Sequence, residues 1–387
     1  MFIDIHCTQV KKYGQNAFGD YFISKRLSRE GRITAVLSDG LGSGVKANIL
    51  ACMTATMLLR FIEENFNIKK AAEIVMNSLP ICKVRKMSYA TFSILECNDD
   101  GNVRIIEEGN PDFIWMQGSE PKSIGYNIVR SRSFPNRHLK VYQFQVELGD
   151  RLIFCSDGVT QAGLGQEGRY KGKLKRSGLI ELLQIVLKRQ KNIASADLSR
   201  YLVQRAQNLE YNGQAKDDIS AVVVYFRTPR RAMIFTGAPC DKSQDTYYAK
   251  IFERFDGQKA ICGGTTAKLL ARELGQTLSL RSDPKGDDLP PTAEMPGVDL
   301  ITEGSLTLTR TLEYLDSGQM ERLDAAGQLV AFLLKSDLLI FMVGSKLNQA
   351  NYAPRQPADF EIRRNLVRHL ADILEKKYLK KVNIRHF

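Results

Sequence analysis

The sequence predicts an α+β fold, rich in antiparallel sheet, over its first 228 residues and a smaller α/β domain over 229–387. Three observations predict it. Short β-like runs outnumber helical patterns in the first part, and turn-forming Asn, Asp and Gly join them. The helical patterns there come in two groups instead of alternating with the strands. After Thr228-Pro229-Arg230-Arg231 the rhythm restarts, with strand and helix in turn.

In chain order, the β-like runs of the first part are Phe2–Thr8, Tyr21–Leu27, Ile33–Leu37, Tyr89–Leu95, Val103–Glu107, Phe113–Met116, Val141–Val146, Leu152–Cys155 and Ile219–Phe226. Helical spacing covers Val45 to about Asn65, Lys69–Ser78, Leu179–Arg189 and Ser195–Leu209. Asn98-Asp99-Asp100-Gly101 reads as a hairpin turn, and Gly109-Asn110-Pro111 as another. In the second part, Met233–Thr236, Ala260–Cys262, Val298–Ile301 and Leu338–Val343 read as strands. Asp245–Arg254, Ala267–Leu274 and a stretch near Ala358–Lys377 read as helices. Ser282–Gly297, with four prolines, reads as a loop.

Composition narrows the class of protein. A chain of 387 residues with 43% hydrophobic and 25% charged residues has room for two ordinary domains with sizeable cores. No apolar run approaches the roughly 20 residues of a membrane span, and the start lacks a basic signal region. Seven scattered cysteines without a CxxC pair suit reduced thiols, and a cytoplasmic location is expected. The four histidines make no zinc spacing. A net charge of +12 favours acidic partners. The basic residues are not interleaved with aromatics, so nucleic acid is not the expected partner.

The chemistry lies in carboxylates that border apolar strands. Asp20 follows Gly19, and Asp39 opens Asp-Gly-Leu-Gly-Ser-Gly after Ser38. Asp157 lies in a second Ser-Asp-Gly, and Asp217 and Asp218 precede Ile219. One Asp-Gly is ordinarily a turn. Several acids delivered to one sheet rim repel unless cations lie between them. Such a set suits Mg²⁺ or Mn²⁺, hard ions that take carboxylate and carbonyl oxygens, and a glycine lets a backbone carbonyl approach.

These stretches carry a family resemblance. Gly19-Asp20-Tyr21-Phe22, Ser38 to Gly44, Tyr89-Ala90-Thr91-Phe92, Gly109-Asn110-Pro111, Asp150 to Val159 and Asp217-Asp218-Ile219-Ser220 stand in one order. In that order, residues 1 to about 228 resemble the metal-dependent type 2C protein phosphatases (PPM family), in their bacterial SpoIIE-like branch. The resemblance implies a four-layer α-β-β-α sandwich of two antiparallel sheets with two Mn²⁺ or Mg²⁺ ions at one end. By carry-over, Asp20 would hold one ion, Asp39 would bridge both, the Gly40 carbonyl would join the first, and Asp157 and Asp217 would hold the second. Asp218 stands where relatives often carry Asn and is read as supporting the ligands. The implied activity is hydrolysis of phosphoserine or phosphothreonine on a bacterial regulatory phosphoprotein, without a phosphoenzyme. A catalytically degenerate domain that binds phosphoproteins is the alternative. An ATPase of the histidine-kinase type also uses Asp-Gly-x-Gly, but it needs a helix upstream where this sequence has a strand.

One departure stands out. Eukaryotic relatives place an arginine shortly before the first acid to hold phosphate, whereas this chain reads Lys11-Lys12-Tyr13-Gly14-Gln15-Asn16. A lysine offers a point charge without the bidentate fork. Arg169, Lys171 and Lys173, between the Asp157 and Asp217 motifs, read either as a substrate-steering flap or as a solvated loop. In the second domain, Gly263-Gly264-Thr265-Thr266 at a helix start reads as an anion site or as a tight β–α turn. A small ligand or a partner protein is the expected occupant of that domain.

Overall fold

The structure is a computed structural model that describes residues 1–27, 31–64, 66–78, 90–130, 137–164, 174–280, 292–319, 321–345 and 359–387. The chain divides into two compact units, Met1–Thr228 and Pro229–Phe387.

The first unit contains eleven strands among its described residues: β1 (Phe2–Val10), β2 (Asp20–Leu27), β3 (Arg32–Gly40), β4 (Ala90–Asn98), β5 (Asn102–Glu108), β6 (Ile114–Gln117), β7 (Glu120–Lys122), β8 (Asn127–Arg130), β9 (His138–Gln145), β10 (Arg151–Cys155) and β11 (Ile219–Arg227). Its helices are α1 (Gly44–Glu63), α2 (Ile68–Ser78), α3 (Asp157–Thr160), α4 (Lys175–Arg189) and α5 (Ser195–Gln207). Two antiparallel sheets form, one in the order β1-β11-β10-β6-β7 and one in the order β2-β3-β4-β5-β9-β8.

Period-2 alternation assigns each face of these sheets. On β3, Ile33, Ala35 and Leu37 join Leu152 and Phe154 of β10 and Val222, Val224 and Phe226 of β11 in the core between the sheets. Val36 of β3 faces the other way, onto Ala55, Leu58 and Ile62 of α1 and Ala72 and Val75 of α2. Ile153, Ala221 and Val223 pack outward against Leu179 and Leu183 of α4 and Leu198 and Leu202 of α5. The result is a four-layer α-β-β-α sandwich, as expected.

Three features depart from or qualify the sequence reading. Gly109-Asn110-Pro111 does not close a hairpin, because β5 and β6 lie in different sheets. The turn carries the chain across the sandwich instead. The short strands β7 and β8 are largely exposed and lack the apolar alternation that betrays a strand. Finally, α1 is long and apolar enough to span a bilayer by length and composition, although Lys46 and Arg60 interrupt its apolar run. Here it packs on a sheet.

The second unit contains β12 (Arg231–Thr236), β13 (Gln258–Cys262), β14 (Ser279–Leu280), β15 (Ala293–Glu294), β16 (Leu300–Thr302), β17 (Leu338–Val343) and β18 (Lys381–His386), with helices α6 (Asp245–Glu253), α7 (Gly264–Leu274), α8 (Ser305–Ser317), α9 (Ala325–Lys335) and α10 (Asp359–Lys376). Its sheet runs β14-β15-β16-β13-β12-β17-β18, with β16 through β18 parallel. Helices α6 and α7 cover one face. Helices α8, α9 and α10 cover the other. The sequence reading missed α8, α9 and β18. Helix α8 (SLTLTRTLEYLDS) is rich in Thr, a weak helix former, and β18 (KVNIRH) gains burial only by pairing with β17.

Candidate metal centre

Each acid of the centre stands where a strand ends. Asp20 opens β2 and Asp39 nearly closes β3, and the two are direct cross-strand partners in that ladder. Asp39 shares the face of Leu37, Ala35 and Ile33, so both carboxylates point between the sheets. Asp157 follows β10 at the start of α3, and Asp217 and Asp218 precede β11. The centre is therefore assembled from both sheets, two acids from each side plus Asp218.

Hydrogen bonds join the two sides. Ser220, on the inward face of β11, donates from Oγ to Asp20 Oδ2 at 2.6 Å. Ser156 organises the same corner. Its Oγ donates to the Asp218 carbonyl at 3.2 Å and accepts from the Ser220 N–H at 3.1 Å. In the other Ser-Asp-Gly, Ser38 Oγ donates to the Thr91 carbonyl at 2.9 Å, tying the end of β3 to β4. Asn110 Nδ2 donates to Ser93 Oγ at 3.1 Å and to the Leu37 carbonyl at 3.4 Å, and Thr91 Oγ1 bonds Asn110 Oδ1. Asp218 Oδ1 accepts the Lys12 N–H at 3.2 Å, so this acid pins the segment before Asp20.

The motif glycines serve close backbone packing. A Cβ on Gly40 would lie 2.1 Å from the Ala47 carbonyl oxygen of α1, and one on Gly158 would lie 2.1 Å from the Asp218 carbonyl oxygen. No side chain fits at either place. Gln15, in the segment before Asp20, brings Oε1 to within 2.4 Å of where a Gly44 Cβ would stand, beside the Gly-rich turn.

The electrostatics are those of gathered acids with little counter-charge, Lys12 acting on Asp218. Burial, followed by the carboxylates of Asp20, Asp157, Asp217 and Asp218, pushes the Asp39 carboxyl up to about 9. Burial raises Asp20 to about 7, opposed by hydrogen bonds from Ser220 and Ser156 and assisted by Asp218 and Asp217. Asp157 is raised by burial and then by Asp217, while the Gly158 amide and a hydrogen bond with Asp39 pull it down. Asp218 is raised by burial, against the Gly19 and Lys12 amides. Among the described residues, none of these acids forms an ion pair. Such a donor set fits divalent cations. No three acidic, thiol or imidazole groups among the described residues converge tightly enough to grip an ion unaided. Mg²⁺ characteristically takes one or two carboxylates and keeps its waters.

Sequence reasoning missed several residues here. Gln161 Nε2 donates to Asp157 Oδ2 at 2.8 Å. Glu210, 7% exposed, accepts the Gly163 N–H at 2.9 Å, and Lys216 Nζ donates to the Leu164 carbonyl at 3.0 Å. With Asp157, Gly158 and Asp217 they line a cavity of about 120 Å³. The serines of both Ser-Asp-Gly copies were visible signals, whereas Glu210 carried none. Arg169, Lys171 and Lys173 lie outside the described residues. Cys155 is buried on the α4–α5 side of β10, and its thiol is pushed up to about 12, chiefly by burial. Gly263 caps α7, Gly264 and Thr265 begin it, and Thr266 Oγ1 is already engaged by the Gly237 N–H at 3.0 Å.

A family model described as stage II sporulation protein E (SpoIIE) matches residues 29–227, just over half of the chain. The chain belongs to the SpoIIE family. The family match includes Asp39, Asp157 and Asp217, and Asp20 precedes it. Stage II sporulation protein E of Bacillus subtilis (strain 168) is 26% identical over 231 residues, which cover 58% of this chain and 26% of that protein. The chain thus spans about a quarter of the length of that SpoIIE relative. Among solved structures, the PP2C phosphatase domain of B. subtilis SpoIIE with a fragment of its regulatory domain is 19% identical. It has a TM-score of 0.46, covering 58% of this chain and 62% of that one. RsbX in complex with magnesium is 21% identical, with a TM-score of 0.36, over 57% of this chain and 94% of that one.

Proposed function

We propose that residues 1–228 form a metal-dependent phosphatase that hydrolyses phosphoserine or phosphothreonine on a regulatory phosphoprotein. One observation carries this reading: Asp20, Asp39, Asp157 and Asp217 meet at one rim of the sandwich without a cationic partner among the described residues. SpoIIE family membership supports it. Asp20, Asp39 and the Gly40 carbonyl would hold one Mn²⁺ or Mg²⁺, and Asp39, Asp157 and Asp217 a second. When bound, such ions lower the pKa of water and neutralise the phosphoryl oxygens.

The chain's own residues prepare the site. Ser220 and Ser156 orient Asp20, and burial together with the neighbouring carboxylates holds the Asp39 and Asp157 carboxyls above the usual range. Asp218 holds the Lys12 backbone and so fixes the segment between β1 and β2 that leads to Asp20. Water is the acceptor, and the seryl or threonyl oxygen leaves as the alcohol. The six described cysteines are all free, which supports a cytoplasmic setting. Small bacterial regulatory phosphoproteins, such as anti-sigma-factor antagonists, are the proposed substrates, and the second unit is read as regulatory.

The test is hydrolysis of p-nitrophenyl phosphate and of a phosphoserine peptide with and without Mn²⁺, in the native chain and in Asp39→Asn and Asp157→Asn. Metal-dependent turnover lost in both variants is expected. Turnover that ignores the metal or both substitutions would overturn the mechanism. Metal-dependent binding of a phosphopeptide without turnover would favour the degenerate-scaffold alternative.

A further inference from the structure

We propose that Tyr13, Leu164 and Tyr211 form a docking surface beside the metal centre for the polypeptide that flanks the phosphorylated residue. The substrate it fits is a phosphoserine or phosphothreonine with apolar side chains next to it in the chain. This role rests on the phosphatase reading of residues 1–228. The three side chains are 65%, 49% and 67% exposed. Apolar residues exposed singly are ordinary on a protein surface. These three are gathered by hydrogen bonds at one rim.

Three separate segments carry them, and residues 210–216 tie the segments together. The Tyr13 N–H donates to the Ala215 carbonyl at 2.8 Å. Lys216 Nζ donates to the Leu164 carbonyl at 3.0 Å, and the Gly163 N–H donates to Glu210 Oε1 at 2.9 Å. Tyr211 lies within the tying segment itself. The same segments reach the acids. Lys12 donates its N–H to Asp218 Oδ1 at 3.2 Å. Leu164, Glu210 and Lys216 line the cavity of about 120 Å³ with Asp157 and Asp217. Leu164 is thus in the cavity wall, Tyr211 is next to a residue of that wall, and Tyr13 is next to the residue that Asp218 holds.

The backbone presents both tyrosines in the same way. The Gln15 N–H donates to the Lys12 carbonyl at 3.1 Å, closing a turn with Tyr13 and Gly14 at its centre. The Gly213 N–H donates to the Glu210 carbonyl at 3.0 Å, closing one with Tyr211 and Asn212 at its centre. Each tyrosine is therefore the second residue of a hydrogen-bonded turn, and left-handed φ at Gly14 (78°) and Asn212 (52°) follows it. A tyrosine held on such a turn offers a large amphipathic face and loses little rotamer freedom on binding. Charge agrees with the occupant. Lys11 and Lys216 form no ion pair among the described residues. A phosphorylated residue brings about −1.5 to −2 charges to that rim. Its neighbours in the chain then come to the segments that carry the tyrosines and Leu164.

The test uses the full chain in saturating Mn²⁺ and two phosphoserine peptides that differ only in carrying leucine or glycine on both sides of the phosphoserine. The native chain should favour the leucine peptide by about tenfold or more in kcat/KM, with the difference in KM. Tyr13→Ala and Tyr211→Ala together should remove most of that preference and leave the melting temperature unchanged, because both side chains are exposed. Binding gives a reading free of turnover. In the Asp39→Asn chain, fluorescence anisotropy of the labelled leucine peptide should show about tenfold weaker binding once both tyrosines are replaced. Equal kcat/KM for the two peptides in the native chain, or a preference that survives the double substitution, would overturn the docking surface and leave the phosphatase reading in place. Turnover of neither peptide would overturn the phosphatase reading, and the anisotropy then decides the docking surface. Binding that the double substitution weakens retains it, and absent or unweakened binding overturns it.

Discussion

Asp20 and Asp39 stand directly opposite one another across the β2–β3 ladder, two acids in a position where like charges are destabilising. Ser220, from the other sheet, holds Asp20 in this arrangement. The pair maintains repulsion that divalent cations would relieve.

Asp39→Asn removes the most strongly raised acid of the group. The metal-free protein should gain about 1 kcal/mol or more near pH 8, since each unit of pKa shift is about 1.4 kcal/mol. Turnover should fall by about two orders of magnitude or more. Chemical denaturation without metal and a phosphopeptide assay with Mn²⁺ check the two halves; a variant less stable than the native chain would contradict the repulsion.

Stability of the metal-free protein should decline as pH rises. In the unfolded chain these acids titrate near about 4, whereas folded Asp20 and Asp39 titrate at about 7 and about 9. Between those limits the native state holds more protons than the unfolded one, so stability falls with pH. The contribution is fully present below about pH 4 and is lost on passing about 7 and then about 9. Melting curves in EDTA from pH 5 to 9 should show this decline, and millimolar Mn²⁺ should flatten it.

Ser220→Ala deletes the bridge between the sheets at Asp20. Loss of such an outer partner should raise the Mn²⁺ concentration for half-maximal activity by about tenfold, while saturating metal recovers most of the turnover. A metal titration of activity reads the effect, and an unchanged midpoint would mean that Asp20 is oriented by other groups.

Gly158→Ala places a methyl group 2.1 Å from the Asp218 carbonyl oxygen. The backbone must shift, at a cost of about 2–3 kcal/mol. Because Asp157 and Asp218 both border the clash, activity should fall together with the urea midpoint.

Much of the site was legible in the chain itself. Ile33 to Leu37 form a short, mostly apolar run, so the strand that ends at Asp39 follows from local pattern, whereas the inward face of that acid follows only from the packing of Ile33, Ala35 and Leu37 between the sheets. Asp157 and Asp217 were visible for the same reason, because valine-rich or apolar strands adjoin them. Other features had no local signature. Gly109-Asn110-Pro111 looks like any turn, and only sheet packing makes it a crossing. Glu210 reaches the cavity wall from the end of α5, seven residues before Asp217, where neither spacing nor composition distinguishes it from a surface acid.

The sequence by itself determined the identity and order of the acids, the strands they border and the break near Thr228, because each depends on side-chain periodicity and turn chemistry within a few residues. Tertiary structure alone decided that Ser220 meets Asp20 across 200 positions and that Gly40 and Gly158 yield to backbone oxygens. Those relations depend on which faces are buried against each other, and burial is settled only when the sheets close.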